Sequence, residues 1–252
     1  MTIRLACAYD ETGLECFASE SAPGSHDILI LPELFDAGYA RLFRDKGASS
    51  SPAKYVSRFE AISRSHHLIV IGGSIAWPDT DGKTRNTCHV CANGKKLTSV
   101  SKSHLFRPLG DDQYFAHGEP VGVMSLDCGN ASVRTGIIIC YDLRFPEIVR
   151  PWFKEGLDLL VVPARWPRVR DELWKLLLRA RAVENQCFVV GVNSRDDEGG
   201  GSYAFGPLGE TVFALGPDKT AGETLWHSFV IDLNAIAEVK KRLDTRPDAR
   251  LL

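Results

Sequence analysis

Thr135-Gly136-Ile137-Ile138-Ile139-Cys140-Tyr141-Asp142-Leu143-Arg144-Phe145-Pro146-Glu147 is an apolar run that stops at a cysteine and restarts at Pro-Glu. The run reads as a buried strand. Pro146 followed by Glu147 fits the first turn of a helix, where a proline loses no hydrogen bond and a carboxylate meets the positive end of the dipole. Cys140 therefore stands at a strand-to-helix elbow. A residue there is pushed out of the sheet beside free backbone N–H groups, an arrangement that suits a nucleophile whose oxyanion those groups can hold. The alternative is a buried cysteine finishing a strand.

The same alternation continues outward in both directions. Strand candidates are 3–9, 27–32, 68–76, 87–92, 97–102, 132–140, 158–164, 187–193, 211–215 and 224–233, each rich in Ile, Val and Leu and bounded by Gly, Pro, Asn or Asp. Asn93-Gly94 joins two of them as a hairpin signal. Helix candidates are 53–66, 146–155, 171–186 and 235–242, with room for only two to three turns in 11–20. In 171–186 the residues Leu173, Leu176, Leu177, Ala180 and Val183 recur at threes and fours and predict the buried face. Helices alternating with strands, plus hairpins, imply an α/β fold with mixed sheets. No repeat, low-complexity stretch or linker divides the chain, so residues 1–252 read as one domain.

Composition narrows the function. The 252 residues carry 30 Lys plus Arg against 32 Asp plus Glu, a formal charge of −2, without the basic footprint of a nucleic-acid binder. No apolar run approaches the roughly 18–20 residues of a membrane span. Seven cysteines, an odd and scattered number, fit a reducing cytoplasm better than a disulfide frame. Cys88-His89-Val90-Cys91 has the look of a metal half-site, but no second pair of ligands stands at suitable spacing, and the alternation before Asn93-Gly94 reads as a hairpin strand. There is no phosphate-binding glycine loop and no His-Glu-x-x-His pattern. Two further charges sit at strand ends: Glu33 closes Ile28-Leu29-Ile30-Leu31-Pro32-Glu33, and Lys102 closes 97–102. Sheet ends are where α/β folds bind ligands. Singly, each charge marks an exit to solvent. Together, a carboxylate to take the thiol proton, an amine to hold an oxyanion and a thiol to attack a carbonyl form a coherent set.

At this point the sequence resembles the carbon–nitrogen hydrolases of the nitrilase superfamily. The resemblance rests on Leu31-Pro32-Glu33-Leu34-Phe35 with Gly38-Tyr39, on Lys102-Ser103-His104-Leu105-Phe106 and on Cys140 to Glu147, in that order. Further matches are Asn86-Thr87, Gly94, 158–164, 179–186 and Gly206-Pro207-Leu208-Gly209, so the likeness covers nearly the whole chain. It implies a four-layer α-β-β-α sandwich of two mixed sheets flanked by helices, assembled as a homodimer. It implies Glu33 as general base, Lys102 as oxyanion stabiliser, Cys140 as nucleophile favoured as thiolate by the nearby Lys, and the Tyr141 backbone N–H as second oxyanion donor. The reaction implied is hydrolysis of a small-molecule amide by water through a cysteine thioester, with ammonia released and neither metal nor organic cofactor used.

Pro163-Ala164-Arg165-Trp166-Pro167 with Trp174 is most similar to the bacterial omega-amidase branch, which acts on 2-oxo acid amides such as 2-oxoglutaramate. Such a substrate has a carboxylate that needs a cation, and Arg165 and Arg144 are the candidates. Arg144 has the alternative of pairing with Asp142 or Glu147, and Trp166 either walls the pocket or packs in the core. N-carbamoyl amino acid or deaminated glutathione amidase activity is the alternative chemistry, and a catalytically silent scaffold the alternative class. Many members of the family carry a second active-site Glu before a Gly. Counting back from Gly118 places Asp111 there, one methylene shorter, with Asp112 beside it and Glu119 further on.

Overall fold

The computed structural model describes residues 1–36, 38–39, 51–129, 131–195, 199–217 and 224–250. Strands β1 (Thr2–Ala8), β2 (Ile28–Ile30), β3 (Ile69–Ile71), β4 (Ile75–Pro78), β5 (Thr84–Ala92) and β6 (Lys95–Ser101) make one sheet with β13 (Trp226–Asp232). Its order is β13-β1-β2-β3-β5-β4, with β6 on β5. The second sheet runs β12-β11-β10-β9-β8-β7, built from β7 (Met124–Asp127), β8 (Ser132–Ile137), β9 (Leu159–Ala164), β10 (Phe188–Asn193), β11 (Ser202–Phe205) and β12 (Thr211–Leu215). Both sheets are mixed. β1, β2 and β3 are parallel, as are β8, β9 and β10, and the remaining pairs are antiparallel.

Period-two burial sorts the side chains of β1 between layers. Ile3, Leu5 and Cys7 join a central cluster with Ile137, Val161 and Val190 of the other sheet. Ala6 and Ala8 join an outer cluster with Leu14 and Phe17 of α1 (Glu11–Glu20) and Phe59 and Ile62 of α2 (Pro52–His66). After the single turn α3 (Asp111–Tyr114), helices α4 (Pro146–Lys154) and α5 (Asp171–Asn185) supply Trp152, Trp174 and Leu178 to the central cluster. This is the α-β-β-α sandwich that the resemblance implies.

Three local expectations change. The apolar run 68–76 is two strands, because Gly72 and Gly73 break it. Gly73 has φ +60°, and a Cβ there would run into the Pro32 carbonyl oxygen, while one on Gly72 would run into the Phe59 ring. Strands β7 and β11, four residues each, carry too little pattern to announce themselves. The most buried face of α5 is Trp174, Leu178 and Ala182; of the predicted stripe, Leu173 and Leu177 pack against the cluster in part, while Leu176 and Val183 lie 62% and 48% exposed. Both faces of that helix are apolar, and the sheet selects the one that fits over Gly191, where an added Cβ would strike Trp174 and Leu178. The segment Cys88–Cys91 is a strand of the β5–β6 hairpin, with His89 Nδ1 2.9 Å from Ser99 Oγ.

Candidate active site

Glu33, Lys102 and Cys140 come from the C-terminal ends of β2, β6 and β8, and the fold brings these ends together. The turn carrying Glu33 is clamped by the loop after β3. Ser74 N–H donates to Pro32 O (3.1 Å), and the Ser74 hydroxyl accepts from Leu34 N–H (3.0 Å). Leu34 takes the left-handed region (φ 44°), which turns the chain immediately after the carboxylate. The Lys102 N–H donates to Asn86 O of β5 (2.8 Å), fixing the lysine at the sheet margin.

Cys140 also lies in the left-handed region, at φ 49°. Such backbone costs a non-glycine residue on the order of 1–3 kcal/mol and persists only where neighbours over-determine it. Asp142 is the neighbour that does so. Its buried carboxylate accepts from Ile139 N–H (3.1 Å), Ser103 N–H (3.3 Å), His104 N–H (2.7 Å) and His104 Nδ1 (3.0 Å). One side chain thus stitches the cysteine elbow to the segment following Lys102. Tyr141 is the second residue of the 3-10 helix Cys140–Arg144, where backbone N–H groups have no partner within the helix. Its ring packs against Phe106 and Phe145.

The polar cluster is buried except for Tyr39, which is half-buried. Lys102 Nζ donates to Glu33 Oε1 (2.8 Å), Asp111 Oδ2 (2.8 Å) and Tyr39 Oη (3.1 Å). Tyr39 Oη and Asn86 Nδ2 donate to Glu33 Oε1 at 2.9 and 2.8 Å. The Cys140 thiol lies beside the Glu33 carboxylate and the Arg165 N–H, and that N–H donates to Glu33 Oε2 at 3.1 Å. Asp111, Asp112 and Glu119 separate cleanly. Asp111 is 0% exposed and accepts also from Phe106 N–H (2.9 Å), whereas Asp112 and Glu119 face solvent. Asp111 Oδ1 is buried with no hydrogen-bond partner among the described residues.

Electrostatics set the resting protonation. Burial pushes the Cys140 thiol well above its ordinary value; the Glu33 charge pushes it further, and Lys102 recovers only part. Lys102 thus favours the thiolate as expected, but burial and the Glu33 charge outweigh it and keep the thiol protonated at neutral pH. Burial alone would raise Glu33, but the Lys102 ammonium, the hydrogen bonds from Lys102 and Tyr39 and the adjacent Cys140 thiol hold it below the usual carboxylate value. Burial would strip the Lys102 proton, yet Glu33 and its other neighbours hold the ammonium well above its ordinary value. Burial and the Glu33 charge raise Asp111 despite Lys102. The arrangement is a charged Glu–Lys pair with a protonated sulfur resting on the carboxylate, able to form its thiolate only as the carboxylate takes the proton.

The remaining candidates lie beside this cluster. Arg165 contributes its backbone N–H, while its fork is engaged with the Glu33 turn, Nε on Glu33 O (2.9 Å) and Nη2 on Leu34 O (3.2 Å). The guanidinium expected to meet a substrate carboxylate is thus engaged in holding the Glu33 turn. Arg144 pairs with neither Asp142 nor Glu147; its Cζ lies 5.1 Å from the centroid of the Trp166 ring. Trp166 is 3% exposed and stacks on Trp174. Residues not singled out as site candidates also enter: Tyr39, Asn86, Asp142 and Asn193. Their signal in the sequence is weak, a polar residue inside or just after an apolar strand. Among the described residues no group of three or more His, Cys, Asp or Glu gathers as a metal site, and no helix is long and apolar enough to cross a membrane.

Comparison with known proteins agrees with this geometry. The carbon-nitrogen hydrolase family model matches residues 12–241. A 2-oxoglutaramate amidase from Bacillus subtilis is 31% identical over 89% of this chain and 85% of its own length. An omega-amidase NIT2 from Xenopus tropicalis is 29% identical over 92% of this chain and 86% of its own. Among solved structures, XC1258 from Xanthomonas campestris, a CN-hydrolase superfamily protein with an arsenic adduct in its active site, superposes with a TM-score of 0.83. It is 25% identical and covers 100% of this chain and 98% of that one. A carboxylate, an amine and a thiol met at three strand ends, in a fold shared over its full described extent and under a family model spanning most of the sequence, have one explanation: this chain belongs to the carbon–nitrogen hydrolase family.

Proposed function

We propose that the protein hydrolyses the distal amide of a small 2-oxo acid amide of the 2-oxoglutaramate kind, through a thioester on Cys140, with release of ammonia. The observation that carries this reading is the buried Glu33 carboxylate, bonded to the Lys102 ammonium at 2.8 Å and coupled to the Cys140 thiol beside it. Glu33 takes the thiol proton as sulfur attacks the amide carbonyl. Lys102 Nζ and the Tyr141 N–H stabilise the oxyanion. Glu33 then passes the proton to the amide nitrogen, the carbon–nitrogen bond breaks, and ammonia leaves a thioester. Water gives a proton to Glu33 and its oxygen to the acyl carbon; Glu33 returns the proton to sulfur, and the carboxylic acid departs. The free Asp111 Oδ1 supports the reading as an acceptor for the substrate amide N–H.

The substrate class is supported by the relatives from Bacillus subtilis and Xenopus tropicalis and by Arg144. Among the described residues its guanidinium makes no hydrogen bond or ion pair, and it is held one turn after Cys140 on an aromatic face. It is the cation to meet the substrate carboxylate, the part that Arg165 does not fill. A panel of amides assayed for ammonia release tests the reading. Turnover is expected to be greatest with 2-oxoglutaramate and to fall when its carboxylate is esterified. Preference for N-carbamoyl amino acids or for deaminated glutathione, or inertness toward every keto-acid amide, would contradict it.

A further inference from the structure

We propose that Asn193 is a positioning residue for substrate discrimination, fixing Trp166 and, through its ring, the Arg144 guanidinium as a rigid cationic shelf beside the nucleophile. The inference deepens the reading above and rests on its assignment of Arg144 to the substrate carboxylate.

Asn193 ends β10 and is fully buried. Its Oδ1 accepts from Trp166 N–H (2.8 Å) and its Nδ2 donates to Trp166 O (2.9 Å). One side-chain amide thus engages both backbone polar groups of a single residue, whose carbonyl also accepts from Gly200 N–H (2.8 Å), and this demands a donor and an acceptor on the same planar group. The Asn193 backbone is fixed in turn, donating to Ser202 Oγ (2.9 Å). The indole is held independently. Trp166 Nε1 donates to Arg170 O (3.2 Å), and Trp174 stacks on the ring at 5.2 Å between centroids, itself tied to Gly201 O (2.9 Å). The Arg144 guanidinium lies against the Trp166 ring.

A cation over a ring face keeps its N–H donors unspent, because the attraction is to the ring quadrupole. Arg144 is therefore restrained without being neutralised, and Asp142, the nearest carboxylate in sequence, is consumed by four N–H groups of other residues. Both partners of the stack are one short step from the reacting atoms. Arg144 shares the 3-10 helix of Cys140, and Trp166 follows Arg165, whose N–H reaches Cys140 and Glu33. The shelf thereby sets a fixed distance from nucleophile to anion, and a planar guanidinium fork suits a carboxylate.

The test compares KM and kcat for 2-oxoglutaramate and for an uncharged amide of matched length. Asn193→Ala and Trp166→Leu disturb the shelf from its two sides, and the wild-type contacts of Asn193 to Ser202 remain in the second. Each is expected to raise KM for the carboxylated amide by about tenfold or more, and to lower the ratio of kcat/KM for the carboxylated over the uncharged amide by a similar factor. Arg144→Ala is expected to erase the carboxylate preference, and Asn193→Ala added to it to cost no further preference. Equal losses on both substrates in Asn193→Ala and Trp166→Leu, or an unchanged preference in both while Arg144→Ala erases it, would overturn the inference alone. A preference that survives Arg144→Ala would overturn the reading beneath it.

Discussion

In the function proposed, Cys140 is a nucleophile whose base must be in contact, since burial and the neighbouring carboxylate keep its thiol protonated. The absorbance of the thiolate, followed against pH and with Cys140→Ala subtracted, is expected to show no ionisation of this residue between about pH 6 and 9, although a free thiol titrates near 8.5. A step near pH 7 would contradict the protonation assigned here. Glu33→Gln keeps the volume and removes the base, so turnover is expected to fall by a factor on the order of 10² to 10⁴ while the thermal midpoint shows a folded protein. Asp111 poses a sharper case. Its carboxyl is raised mainly by burial, so the fold favours its protonated form, and ionisation as pH rises through the interval above the unfolded value works against stability. Asp111→Asn is expected to be at least as stable as wild type at pH 7 and yet slower by about tenfold, since Lys102 loses one of its two charged acceptors. Lower stability with unchanged kcat would assign Asp111 to folding alone.

Elements place these groups, and Asp142 is the join between two of them. Asp142→Ala would leave three backbone N–H groups of Ile139, Ser103 and His104 without their acceptor. Each unsatisfied buried donor costs roughly 1–3 kcal/mol, so a loss on the order of 3 kcal/mol or more is expected in urea denaturation. A loss under about 1 kcal/mol would show that solvent or relaxation replaces the clamp. The ends of elements were the most legible part of the sequence. Glu33, Lys102 and Cys140 each follow an apolar run, and Asp111 is found by counting from Gly118. What surrounds them was less so. Arg165 looks like a substrate fork until the turn it holds is seen, and Arg144 has carboxylates beside it in sequence that the fold spends elsewhere. The α5 stripe failed for a related reason: two apolar faces compete on one helix, and Gly191, in another element, selects between them. Burial and partnership are three-dimensional sums, and a linear pattern carries only their local part.

At the scale of the molecule, two mixed sheets bring groups distant in sequence into one buried cluster. The Glu33–Lys102 pair is 69 residues apart along the chain. The folded carboxyl of Glu33 lies below its unfolded value, so its stabilisation is present above about pH 4.3 and is lost as pH falls through the folded value. Lys102 is raised, so its share is present below about pH 10.4 and is lost as pH rises through its higher folded value. Lys102→Ala strands two buried carboxylates and is expected to cost on the order of 3–5 kcal/mol at pH 7 in chemical denaturation. The deficit should shrink at pH 5, as the unpaired carboxyls take up protons; a deficit independent of pH would show that they are not ionised together. The most direct test of the whole arrangement is intact-protein and peptide mass spectrometry of enzyme quenched during turnover of 2-oxoglutaramate. The account predicts an adduct on Cys140 with the mass of the amide less ammonia, absent from Glu33→Gln; ammonia release with Cys140 unmodified and replaceable by Ala would contradict it.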